Sequence, residues 1–259
     1  MLFLAVSFFS SAAGTVCGMG GGVIIKPVLD SFGVMSASSI SFLSGCTVLG
    51  MSCCSFVKSK LAGESPVSGN IGMPLAAGAA LGGVSGKMVF QSLFSMLTDK
   101  NMIGAVQAVC LLVITAGTLI YTLIKDRINT RRIENRASCL MIGMVLGVVS
   151  SFLGIGGGPI NLVVLFHFFS METREAAHNS LYIIMFSQFT SLISTLATGT
   201  VPEFSVLLMA FMVTGGVLGG AGGRAVSNKM STGDVDKLFI VLMVVIIGIN
   251  INNIVRFLN

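Results

Sequence analysis

Two stretches, CGMGGGVIIKP at residues 17–27 and LGIGGGPINLV at residues 153–163, set three consecutive glycines inside otherwise apolar sequence, 136 residues apart. Only proline disfavours a helix interior more than glycine does. At membrane depth, backbone without helical hydrogen bonds is tolerated only where it is buried in protein or lines a wet cavity. A chain that breaks twice at matching places therefore folds around those breaks. The remaining sequence settles the class. Of 259 residues, 54% are apolar and 10% charged, with a mean hydropathy of +0.94, whereas a soluble domain carries about 25% charged residues. Apolar runs of roughly twenty residues, long enough to cross a bilayer, follow one another along the chain. It reads as an all-α polytopic membrane protein.

The net charge of +5 does not point to nucleic acid, because the cations crowd one hydrophilic stretch, KDRINTRRIENR at 125–136, as membrane topology requires. The cysteines (Cys17, Cys46, Cys53, Cys54, Cys110, Cys139) form no CxxC pair and no spacing with histidine suited to a metal. They read as small apolar side chains, and no metal or other cofactor is expected. The N-terminal MLFLAVSFFSSAAG lacks the basic start of a signal peptide. Its continuation is copied internally, so it is expected to be retained as structure.

Apolar runs occupy 2–17, 23–30, 36–57, 71–90, 102–124, 138–153, 159–169, 175–198, 204–226 and 238–256. LGGVSGK at 81–87 answers LGGAGGR at 218–224, and ASSISF at 37–42 stands where AAHNSL at 176–181 does. The chain is thus an internal duplication, 1–124 and 137–259, about the loop 125–136. If 2–30 is one broken span, each half crosses four times and the halves are parallel. If 2–17 and 23–30 form a re-entrant hairpin, each half crosses three times and the halves are inverted. Cytoplasmic loops are enriched in Lys and Arg. With 125–136 inside, the hairpin arrangement puts 11 of the 15 cations inside and leaves Lys26, Lys87, Lys100 and Arg256 outside. The four-span arrangement splits them 8 to 7. The expected fold is two inverted repeats, each a hairpin (2–30; 138–169) plus three spans (36–57, 71–90, 102–124; 175–198, 204–226, 238–256). Both termini then face out of the cell.

A half-helix begins with unpaired N–H groups and about half a positive charge, and glycines let an anion approach those amides. Pro159 suits the first turn of a half-helix; by alignment the other half-helix starts near Val23. Gly20, Gly21, Gly22, Val23, Gly156, Gly157 and Gly158 are therefore candidate anion-binding residues at the bilayer midplane, where broken helices of transporter repeats hold their substrate. The middle glycines, Gly21 and Gly157, are expected to need positive φ. Neither copy completes G-x-G-x-x-G, and no GK[ST] is present, which argues against nucleotide binding. Gly78, Gly82 and Gly86, with their counterparts around Gly219, read instead as helix-packing faces.

The paired G-x-GGG motifs, the central basic loop, the eight hydrophobic segments and the length resemble the sulfite exporter TauE/SafE family over essentially the whole chain. The resemblance implies a membrane transporter of sulfite, sulfoacetate or a related organosulfur anion. The first copy keeps the family's proline a few residues after the glycines, at Pro27. The second has Val163 there and its proline earlier, at Pro159.

Ionisable groups within spans cost about 2.5–3.5 kcal/mol each on insertion scales. Lys26, one turn past the first glycines, either adds charge to the cradle or snorkels outward near Asp30. Lys87 and Arg224, each ending a glycine-rich span, read as interface anchors or as an anion-gathering vestibule. His178, Asn179 and Ser180 align with Ser39, Ile40 and Ser41; the polar members are candidate sulfonate donors or interhelical packing groups, and His178 could carry a coupling proton. Gln188 is placed along the path, and His167 reads as a satisfied interior histidine. The function expected is gradient-driven transport of a small anion across the cell membrane, in contact with lipid and not nucleic acid. A homodimer is left open. An anion channel and a membrane-embedded enzyme using His167 or His178 are the alternatives.

Overall fold

The computed structural model describes residues 1–61, 69–96 and 100–258. Asn259 and the side chains of Lys60 and Lys100, which enter the charge split above, lie outside the described set. The chain forms α1 (Leu2–Cys17), α2 (Gly22–Phe32), α3 (Ala37–Leu61), α4 (Gly69–Met96), α5 (Lys100–Ile124), α6 (Arg136–Leu153), α7 (Pro159–Phe169), α8 (Thr173–Ala197), α9 (Val206–Ser227) and α10 (Thr232–Leu258). Among the described residues seven helices, α3–α6 and α8–α10, are long and apolar enough to cross a membrane. At 18 residues α6 meets that length, although the sequence reads it as one arm of a hairpin.

Contacts between helix ends sort them onto two faces. On one face Ser39 Oγ donates to the Glu203 carbonyl (2.8 Å), Gln91 Nε2 donates to Thr198 Oγ1 (3.1 Å), and Arg256 donates to the Asp30 carbonyl (3.4 Å). On the other face Lys125 pairs with Asp236 (2.5 Å) and Arg224 Nη1 donates to the Ser55 carbonyl (2.8 Å). There too the Arg131 and Ile133 N–H groups donate to the carbonyls of His167 and Phe168 (2.7 and 2.9 Å), pinning the basic loop to the end of α7. Consequently α3 runs antiparallel to α8, α4 to α9 and α5 to α10. Each short pair returns to the face it left: α1 starts beside the start of α9 and α2 ends beside the end of α10.

Lipid tails are as apolar as leucine, so helices associate in a bilayer through close packing and polar contacts. Small residues supply the packing. Gly215, Gly219 and Gly223 of α9 lie over the carbonyl oxygens of Leu4, Phe8 and Ala12 of α1. In the same way Gly78, Gly82 and Gly86 of α4 lie over those of Leu140, Met144 and Val148 of α6. Any Cβ at these positions meets backbone, which cannot yield as a side chain does. The spacing of four residues thus makes two glycine seams, as the sequence indicates, with Cα–H groups facing carbonyls. Hydroxyls supply the polar contacts: Ser151 Oγ donates to the Gly83 carbonyl (2.7 Å), and Thr190 Oγ1 to the Ala80 carbonyl (2.8 Å).

Gly82→Leu or Gly219→Leu should therefore cut the yield of monodisperse protein on gel filtration. Overpacking costs about 1–3 kcal/mol and more against backbone. Surviving protein should keep its substrate affinity. Normal yield with lost affinity at both positions would place these glycines in the binding site instead.

Candidate anion-binding site

The helix breaks are built as their sequences require. α1 ends at Gly18 (φ 73°) and α6 at Gly154 (φ 66°), left-handed positions that suit glycine. Gly18 lies against Ala177 of α8, and Gly154 against Ser41 of α3. The half-helices start at Gly22 and at Pro159, the latter as the sequence indicates. The two turns meet. Gly22 backs onto the Ile155 carbonyl, and a Cβ on Gly158 would lie 3.1 Å from Val23 Cγ2. Val48 and Ile184, both fully buried and 136 residues apart, fill the space against Gly20 and Gly156.

The turns differ in shape. Gly156, Gly157 and Gly158 all have positive φ (82°, 96° and 60°), whereas in the first turn only Gly20 does among the triplet (74°). Gly21 is right-handed (φ −68°, ψ −23°), which corrects the expectation that it needs positive φ. Its lack of a side chain matters for packing, because a Cβ would stand 2.6 Å from Ser11 Oγ. Among the described residues the N–H groups of Gly20, Gly21, Gly22 and Val23, and of Gly156, Gly157 and Gly158, make no hydrogen bond. This is the condition of a helix start that awaits an acceptor.

One residue at this junction was not singled out from sequence. Asn161, the third residue of α7, is fully buried and turns back to Gly157, whose Cβ would sit 2.5 Å from its Nδ2. Among the described residues neither its Nδ2 nor its Oδ1 has a hydrogen-bond partner. Buried amides are ordinarily satisfied. The signal was available in GGGPIN: an asparagine in the first turn after Pro159, inside a wholly apolar run.

The other candidates are placed less centrally. Lys26 is 3% exposed and forms an ion pair with Asp30 one turn further on (2.6 Å). It neither charges the glycine turns nor snorkels to the surface. Asn179 is buried and donates to the Glu175 carbonyl of its own helix (2.9 Å). Ser180 is fully buried with an unpartnered hydroxyl, as is Ser44. The alignment of Ser39–Ser41 with His178–Ser180 is three residues out. α3 and α8 each have 25 residues and correspond at a spacing of 136, so Ser41 matches Ala177 and Ser44 matches Ser180. The equivalent contacts of Gly18 with Ala177 and Gly154 with Ser41 fix this register. His167 Nδ1 is hydrogen-bonded to the Tyr121 hydroxyl (3.0 Å), in keeping with a satisfied interior histidine.

Two cavities flank the junction. One lies where α8 begins, lined among others by Thr15, Ser55, Arg174, His178, Tyr182 and Arg224. The other, smaller, lies toward the end of α4, lined among others by Ser41, Cys46, Lys87, Ser151, Gln188 and Ser191. Gln188 Nε2 donates to Ser150 Oγ (3.2 Å), and Ser41 Oγ to Gln107 Oε1 (3.4 Å). Lys87 and Arg224 thus each line one of the two cavities.

A curated relative, a probable membrane transporter protein YunE of Bacillus subtilis (strain 168), is 27% identical over 107 residues, which is 41% of this chain and 38% of that protein. The match thus spans well under half the length of this relative. No solved structure matches the chain. The family model for the sulfite exporter TauE/SafE matches residues 3–251. With its span covering nearly the whole sequence and both glycine breaks, the chain belongs to the sulfite exporter TauE/SafE family.

Proposed function

We propose that this protein is a secondary transporter that carries a small sulfur oxyanion, such as sulfite or sulfoacetate, across the cell membrane, and is not an enzyme. The anion is held where the two glycine turns meet. The observation that carries this reading is the unpartnered, fully buried amide of Asn161 beside the free N–H groups of Gly156, Gly157 and Gly158. Amide donors at a helix start favour an anion with no full charge buried beside it. Nearby cations are already committed or stand off in the cavities: Lys26 faces Asp30. Sulfur oxyanions are the choice that family membership supports. The test is a thermal-shift screen of purified protein against sulfite, sulfoacetate, taurine, thiosulfate, sulfate and carboxylates. Counterflow of the best ligand in proteoliposomes follows. Saturable counterflow is expected; an unsaturable leak would make the protein a channel, and no anion-dependent stabilisation or flux would end the reading.

In the same proposal the halves 1–124 and 137–259 are inverted repeats, each a hairpin and three spans, with residues 125–136 cytoplasmic and both termini outside. Antiparallel pairing of α3 with α8, α4 with α9 and α5 with α10 supports it. Single cysteines at Asn129, Asn228 and Thr200 in a cysteine-free background, probed with an impermeant thiol reagent on whole cells, should label only at Thr200→Cys. Labelling of Asn228→Cys from outside, with Asn129→Cys silent, would restore the parallel four-span topology.

A further inference from the structure

The two cavities are copies of each other. Moving 136 residues along the chain carries Thr15 to Ser151, Cys46 to Tyr182, Ser55 to Ser191 and Phe42 to His178; moving 137 carries Lys87 to Arg224. The first member of every pair lines one cavity and the second the other, in either order. They open from the glycine junction toward opposite helix ends, since Arg224 bonds Ser55 near the end of α3 while Ser41 stands at its start. Val48, Met51, Leu181 and Ile184 form one buried apolar cluster between them.

Their chemistry is also matched. Arg174 and Arg224 line the larger cavity and Lys87 the smaller, and among the described residues no Asp or Glu lines either. Hydroxyls surround the cations in both, joined by Gln188 in one and His178 in the other. Cations at membrane depth are costly and mark ion pathways. A cleft lined by one sign of charge raises the local concentration of the opposite ion by about 10–10³-fold. Hydroxyl and amide donors complete an oxyanion's shell without a second fixed charge.

We propose that these cavities are a pair of anion-receiving sites, one at each mouth of the substrate path, with Arg224 and Lys87 as the repeat-equivalent groups that receive a small sulfonate or sulfite-type oxyanion. This rests on the transport reading above and adds two sites to it. The anion passes from one cation to the glycine turns and on to the other, and the Val48–Ile184 cluster separates the two mouths.

The test uses thiol reagents as the anion, with no need to know the natural substrate. Cys46 already lines the Lys87 cavity, and Tyr182→Cys puts a reporter at the equivalent position beside Arg224. With the other cysteines replaced, each reporter is reacted in purified protein with methanethiosulfonates bearing either a sulfonate or a trimethylammonium group. Rates are normalised to a small free thiol. The sulfonate reagent should be favoured about tenfold or more at both reporters. Lys87→Gln should abolish the preference at Cys46 alone, and Arg224→Gln at the Tyr182→Cys reporter alone. Arg224→Lys should retain it; because Arg224 also holds the Ser55 carbonyl, this variant and the parent rates decide the matter if Arg224→Gln fails to fold. Equal normalised rates at both reporters, or a preference that survives both glutamine variants, overturns the proposal. Intact counterflow alongside equal rates overturns it alone, whereas a preserved preference without counterflow supports the two sites and ends the transporter reading.

Discussion

Asn161→Leu should raise the melting temperature of the protein and remove most of its anion binding. The two effects have one origin. Both polar atoms of the Asn161 amide are buried without a partner, and an unsatisfied buried group costs about 1–3 kcal/mol. Leucine has similar bulk, and its methyl groups need no hydrogen bonds, so the unliganded protein gains. With an anion in place the balance reverses. A hydrogen bond to a charged group contributes about 1.5–3 kcal/mol, so its loss weakens binding roughly 10- to 100-fold. Isothermal titration with the best ligand from the screen, beside a melting curve, measures both. Unchanged affinity with a lower melting temperature would make Asn161 a packing residue and leave the junction without its central donor.

Gly157→Ala should weaken anion binding about tenfold or more, while Gly21→Ala should act mainly on stability. At Gly157 the backbone has φ 96°, and a side chain in such a region costs about 1–3 kcal/mol. Its methyl would also press on the Asn161 amide 2.5 Å away. Gly21 bears no backbone penalty, and its methyl would strike Ser11 of α1, loosening the hairpin. Neither change removes charge, so a loss of affinity reports geometry. If both variants bind like the parent protein, the glycine triplets are packing residues and the substrate sits elsewhere.

Much of this was legible because it rests on backbone chemistry. Proline and glycine constrain the chain locally, so the start of α7 at Pro159 and the ends of the apolar runs at 17 and 153 need no tertiary knowledge. The seams at Gly78, Gly82 and Gly86 show in a spacing of four for the same reason. The pairing of α3 with α8 was misread by three residues, because small polar residues recur throughout both helices and similar hexapeptides arise by chance. Only contacts across the molecule, Gly18 on Ala177 and Gly154 on Ser41, distinguish the true register. The fate of Lys26 was likewise hidden: whether an i,i+4 partner holds a lysine inside or lets it reach outward depends on what covers the helix. Arg224 and Lys87 were visible as a pair, but their surroundings assemble from four or five separate helices.

The glycine seams also decide what can exist on its own. Because α1 is seated on α9, and α6 on α4, each hairpin is clamped by a helix from the opposite half. The bundles that result, α1 with α3 and α9, and α6 with α4 and α8, are exchanged products of the two halves. A chain cut within 125–136 would yield fragments that each leave a bare glycine strip against lipid, with no seat for their own hairpin. Neither fragment is expected to stand alone, and co-expression of the two should be needed to recover folded protein. On the inverted-repeat proposal, a half-length version would become complete only as two copies inserted in opposite directions, each lending the other a seat.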